Sequence, residues 1–487
     1  MSSAPSLGIP ELAGICTYQE AARIGYSVEE NVRRLLRYHW TERRLMEISV
    51  ARLTATPEWE VKCALALHQW QDAEHADAIR GRIAEMRSPA PRMDAPPDPA
   101  LDAFLEEALR AADSVELLAG LYGVARPALA TAYREHLAAT NPLVDHPTRR
   151  LLRTALAEEE EAIAWGVRAL EALIAREGAA AAARSAAWEA HLRAYLDAAG
   201  GIAGVPPRHH DDTAAPPAHH PSDAPERESA PPAPPAPLPP PRAAAPFTPD
   251  LHPRRDERFH GRYSTNFPPH LVYNAESVPV DERNLALLCK RTLEMDVPEM
   301  MASVMVERRD LPWEFHRDYA RQLWDECRHA MMGSVAFEAR GVDWTGIPLN
   351  VTFALRLNLH ASALERQMML YAIEQSLMPG DTGKRFEYET ARAAGDALSA
   401  HFHDYDWADE VLHAHIGRRW LRHEGIGSRE AVERAREVHE RTWAALRGYA
   451  HLDEPRDWWD DFVRALLGRP SAAPPELLGE APKVIAE

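Results

Sequence analysis

The chain has 487 residues, 46% of them hydrophobic and 26% charged, with a formal charge of -19. That length supports two or three domains, each with its own core. The acidic balance argues against a general nucleic-acid or anionic-membrane binder. No apolar run approaches the roughly 20 residues that cross a bilayer.

Ala, Leu, Arg and Glu are prominent, which favours helices. The start, MSSAPSLGIPELAG, has neither a basic cluster nor an apolar stretch, so no secretory signal is expected. Cys16, Cys63, Cys289 and Cys327 never form C-x-x-C. The expectation is a reduced, cytoplasmic protein without a zinc or rubredoxin-type iron site.

Residues 1–29 read as a lead-in. From 30 to 202 apolar residues recur at helical spacing, with breaks at Thr54–Pro57, a Pro-rich connection at 87–100, Thr140–Pro142 and Gly178. The stretch 203–257 is Pro/Ala-rich and reads as a disordered linker. Its pairs His209–His210 and His219–His220 read as polar residues of a tether. Residues 258–470 read as a second helical domain, with helices over about 281–309, 313–340, 351–377 and 404–423. The segment GVDWTGIPLN serves as a crossover of about 33–36 Å when extended. Residues 471–487 form a flexible tail. The expected fold class is therefore all-α, two tandem four-helix bundles joined by the linker.

Two motifs in the second domain carry chemistry. Glu326 and His329, in LWDECRHAMMG, and Glu410 and His413, in DEVLHAHIG, are Glu-x-x-His pairs that place a carboxylate and an imidazole on one helix face. Two such helices, plus one Glu from each of two others, make a dinuclear carboxylate site in a four-helix bundle. Glu294 and Glu365 supply the lone carboxylates, with Glu374 a rival to Glu365 on the third helix. Four carboxylates and two neutral imidazoles suit two divalent ions. Pro298 cannot donate to the Glu294 carbonyl, so the first helix should distort there. Asp325, Asp406 and Asp409 are candidate acceptors for the histidine N–H groups.

The two halves also repeat one another. Trp59, Trp70 and His75 match Trp313, Trp324 and His329 at a constant offset of 254 residues (313 − 59), as Ser49–Val50 matches Ser303–Val304. Glu116 aligns with Glu365, and Glu159 with Glu410 when Gly166 and Gly417 are superposed. The first half keeps Asp72, His75, Glu116 and Glu159, but Ala162 replaces His413. Trp40 falls at the place of Glu294, with Glu42 out of register. The expectation is a degenerate half that has lost its metal and serves as a structural or substrate-shaping partner.

The segments LEMDVPEMMASVM, DLPWEFHRDYARQLWDECRHA, ALRLNLHASALERQ and DEVLHAHIG resemble a bacterial family of ferritin-like proteins distantly akin to diiron tRNA hydroxylases. The resemblance covers roughly 280–425. It implies Glu294, Glu326, His329, Glu365, Glu410 and His413 as ligands, and Arg356, nine residues before Glu365, favours Glu365 over Glu374. The expected function is a diiron oxidase or oxygenase that uses two iron ions and O2 to hydroxylate, desaturate or N-oxygenate a small organic substrate. Manganese or a mixed iron–manganese pair is the alternative cofactor. No flavin or Rossmann pattern is present, so electrons come from an external donor or the substrate. Competing readings are a ferroxidase and a helical interaction protein with a vestigial site. A homodimer is compatible with the sequence.

Overall fold

The computed structural model describes residues 8–204, 237–260, 263, 269–378, 383–449, 452, 458–474 and 477. The two histidine pairs of the Pro-rich stretch and most of the tail lie outside these. All regular structure among the described residues is helical, and none of their helices is long and apolar enough to cross a membrane.

The compact units do not follow the chain order expected from the sequence. One comprises residues 1–45 and 75–246, the other 46–74 and 247–487. The helical hairpin of α1 (Val28–Leu53) and α2 (Trp59–Met86) therefore divides between them. Its tip belongs to the second unit for identifiable reasons. Lys62 is fully buried there, with Nζ 2.6 Å from Glu299 Oε1. Thr54 Oγ1 donates to the Glu299 carbonyl, Gln69 Nε2 donates to the Ala320 carbonyl, and Trp70 stacks on Trp324 at 6.4 Å.

In the first unit α3 (Pro99–Ala108) starts on an Asp98 cap with proline at its first position, the favoured place for it. Then come α4 (Ser114–Gly120), a π-turn at Leu121–Ala125, and α5 (Arg126–Ala139). The long α6 (His146–Glu177) ends at Gly178, whose φ of +86° only glycine adopts without strain, and α7 (Ala179–Ala198) follows. α6 packs on α4, α5 and α7, and α7 covers α3 and α4.

In the second unit α8 (Val280–Leu293) and α9 (Asp296–Glu307) are one helical stretch broken at Glu294–Met295. α10 (Trp313–Glu338) is continuous. The expected third helix is also two pieces, α11 (Thr352–His360) and α12 (Ala363–Ser376). The short α13 (Lys384–Ala393) leads into α14 (Ala397–His423), followed by α15 (Ser428–Leu446) and α16 (Trp459–Leu467). Contacts run in a ring: α8–α9 on α10, α10 on α14, α14 on α12, and α12 on α9.

One packing detail recurs in each unit. Gly166 of α6 lies so close under Tyr122 that an added Cβ would sit 2.0 Å from the ring, and Gly417 of α14 meets Tyr371 at 2.9 Å in the same way. These are the glycines that align the two halves.

The described part of the Pro-rich stretch is no free tether. Arg242 donates to Glu116 Oε1 at 2.8 Å in the first unit, over the Trp188 ring. Arg255 donates to Glu299 Oε1 at 2.5 Å and Oε2 at 3.0 Å in the second. Two guanidiniums that find buried carboxylates hold residues 237–257 against the helices, against the expectation of disorder.

Candidate metal centre

Four helical stretches of the second unit bring their acidic and imidazole side chains to one buried place. Glu294 enters from the break between α8 and α9. Pro298 has no N–H to offer the Glu294 carbonyl, which instead accepts from Val297 at 3.0 Å, so the helix stops and restarts there. α10 presents Asp325, Glu326 and His329, and α14 presents Asp406, Asp409, Glu410 and His413 on faces set by the helical period.

The third-helix carboxylate that reaches the cluster is Glu374 and not the expected Glu365. Ala361 is extended, and Ser362 opens α12 with a capping box: its hydroxyl accepts the Glu365 N–H, while the Glu365 carboxylate accepts the Ser362 N–H at 2.7 Å. Arg441 takes the other Glu365 oxygen at 2.6 Å. Glu365 is thus spent on the helix start. Two and a half turns further on, Glu374 is buried in the cluster, where Gln322 Nε2 donates to it at 3.2 Å.

Donor atoms of Glu326, Glu374, Glu410 and His413 all lie within 4.8 Å of one another. So do those of Glu294, Glu326 and His329, and those of His329, Asp406 and Glu410. Glu326 and Glu410 each belong to two of these groups, and the two imidazole rings are 5.8 Å apart. Each imidazole turns Nδ1 inward and Nε2 outward. His413 Nδ1 is 3.1 Å from Glu326 Oε1 and from Glu410 Oε2, with Nε2 3.4 Å from Asp325 Oδ2. His329 Nδ1 is 3.6 Å from Glu326 Oε2, with Nε2 3.2 Å from Asp409 Oδ2. Outer carboxylates that fix the ring and the tautomer in this way are the usual support of metal-bound histidine. Arg328 holds both Asp325 and Asp409. Asp406 does something else: it lies 3.2 Å from His329 Nδ1, on the inner side.

Two buried cations escaped the sequence reading. Lys384 Nζ lies 2.7 Å from Glu410 Oε1 and 2.9 Å from both Asp406 oxygens. Arg291 lies 2.8 Å from Glu294 Oε2, 2.5 Å from Asp406 Oδ1 and 3.0 Å from Glu387 Oε2. Against five central carboxylates (Glu294, Glu326, Glu374, Glu410 and Asp406) they leave three negative charges to be neutralised by protons or by ions. Without ions the protons do it. Burial pushes Glu294 up to about 7, and burial with the Glu410 and Glu326 charges pushes Glu374 well up. Burial alone would lower His329, but Asp406, Asp409 and Glu326 outweigh it and raise it to about 10. Burial likewise works against ionised Glu410, yet Lys384 above all holds that carboxyl well below its ordinary value. Buried Glu326 Oε1 and His329 Nδ1 make no hydrogen bond. Carboxylate and imidazole donors at this spacing, with unused inner atoms, fit a pair of divalent transition-metal ions.

In the first unit, His75 and Glu159 come together, but Glu116 does not join them. It accepts from the Ala112 N–H at 2.7 Å and from Arg242, at the start of α4. Glu42, which looked out of register, takes a place beside His75 instead. The offset explains it: Glu42 and Glu294 stand 252 apart (294 − 42), two fewer than the 254 of Ser49 and Ser303. The two extra residues of the second half fall between Glu294 and Ser303, the stretch in which α8 has stopped and α9 restarts. Asp72 stands one turn before His75 on α2, past the division between the units.

No protein-family description, curated protein or solved structure matches this chain.

Proposed function

We propose that the second unit is a ferritin-like, non-haem diiron oxidase or oxygenase domain that oxidises a small organic substrate. The observation that carries this reading is a set of adjoining donor groups: Glu326, Glu374, Glu410 and His413 form one, which shares Glu326 with the group of Glu294 and His329, and Glu410 with the group of His329 and Asp406. Two iron ions bound there supply the reduction of O2, with manganese as an alternative metal. The chain's own residues do the rest. Asp325 and Asp409 orient the two imidazoles, Arg291 and Lys384 keep Asp406 and Glu410 ionised, and buried helices exclude bulk water.

One observation favours a second reading, a vestigial site in a helical interaction protein: Lys384 and Arg291 already balance part of the carboxylate charge. Mössbauer spectra of the full chain after anaerobic Fe²⁺ loading separate the two. The oxidase reading expects a spin-coupled iron pair that Glu374→Gln with His413→Ala abolishes. Absence of any coupled pair in the wild-type chain sinks it. O2 uptake that only matches the added Fe²⁺, whatever organic compound is present, points to a ferroxidase instead.

A further inference from the structure

A second buried donor group lies in the first unit, on α1, α2 and α6. Donor atoms of Glu42, His75 and Glu159 lie within 4.8 Å of one another, and the three residues are 0%, 6% and 1% exposed. Each has one atom held from outside. Tyr133 Oη donates to Glu42 Oε1 at 2.5 Å, Arg126 Nη1 donates to Glu159 Oε1 at 2.7 Å, and His75 Nε2 lies 2.8 Å from Glu158 Oε2. Each also has one buried atom without a hydrogen bond: Glu42 Oε2, Glu159 Oε2 and His75 Nδ1. A histidine whose Nε2–H goes to a carboxylate presents Nδ1 as a lone pair, which is the form that binds metal. His75 Nδ1 lies 3.2 Å from Glu42 Oε1, off the hydrogen-bond line.

From this geometry we propose that the first unit holds a single divalent first-row transition-metal ion, with Glu42, His75 and Glu159 among its ligands. One imidazole and two carboxylates suit Mn²⁺, Fe²⁺ or Zn²⁺. The site is mononuclear because the matching half of a pair is missing. Ala162 stands where the second unit has His413, and the Arg126 guanidinium, paired with Glu159, supplies positive charge in place of a second ion.

The test uses the full chain, stripped with chelator, reloaded with Mn²⁺ and desalted, with metal per chain and EPR as readouts. In the Glu374→Gln/His413→Ala background one Mn²⁺ remains, with the spectrum of an isolated ion. Adding His75→Gln removes that ion, and Tyr133→Phe, which only loosens Glu42, weakens its binding about 10-fold. Circular dichroism checks that each variant stays helical. Equal Mn²⁺ content with and without His75→Gln overturns the proposal, as does a folded Glu374→Gln/His413→Ala chain that binds none. An isolated ion in a wild-type chain that lacks a coupled pair would leave this site standing while the oxidase reading fails.

Discussion

Lys384 is the first residue of α13, a position where the helix dipole disfavours a cation. It is also fully buried. A charge placed against two such penalties is held by something specific, here Glu410 and Asp406 at 2.7–2.9 Å. Lys384→Met leaves those carboxylates buried without their cation, so the metal-free protein should lose about 3–5 kcal/mol. Mn²⁺ should restore more of the melting temperature in the variant than it adds to the wild type, because the ion then carries charge that lysine had balanced. A thermal melt with and without chelator checks this, and equal gains in both chains would show that lysine and metal do not share the same carboxylates. Patterns of Glu and His single out side chains that can meet at one place, so the gathering of Glu294, Glu326, His329, Glu410 and His413 was legible in the sequence. Arg291 and Lys384 were not, because no spacing rule links a basic residue to a distant carboxylate. The misplaced charge at the start of α13 was the one local signal.

At the level of the helices, both surprises come from breaks. Ser362-Ala-Leu-Glu365 is a capping-box sequence, and read as such it ends one helix and begins another before Glu365 can turn inward. The likeness to other sequences pulled the ligand assignment to Glu365, whereas the local cap chemistry favours Glu374. Variants distinguish them. Glu374→Gln should lower bound metal in the second unit, while Glu365→Gln should leave metal content unchanged and cost about 0.5–2 kcal/mol through the lost cap. A drop in bound metal with Glu365→Gln, measured on desalted protein, would reverse the assignment. The break at Glu294 was foreseeable from Pro298. Its effect on the repeat was not, since a two-residue shift between halves appears only once α8 and α9 are seen as separate helices.

For the molecule as a whole, helical class was readable from periodicity, but the division into units was not. Hydrophobic patterning tells which residues face a core and not which core. Lys62 shows the difference. Burial lowers its ammonium to about 8, although Glu299 opposes the shift, since Arg255 competes for the same carboxylate. Between about 8 and the ordinary 10.5 the unfolded chain keeps a proton that the folded chain has released, so stability rises with pH across that window. Urea midpoints should show a gain of about 1–3 kcal/mol from pH 8 to 10 that Lys62→Met lacks. Parallel curves for the two proteins would mean that Lys62 stays charged throughout.

The divided hairpin also sets a timetable for synthesis. Gln69 reaches its acceptor at Ala320 only 251 residues later in the chain. At ordinary ribosomal speeds of about 5–20 residues per second, that is a wait of roughly 13–50 s. During it the tip of the hairpin, with Lys62, Trp59 and Trp70, has left the ribosome while the surfaces that cover it are still untranslated. Nascent chains paused in this interval should be the ones that chaperones hold, and slowing translation within residues 75–299 should lengthen that exposure and lower the yield of folded protein.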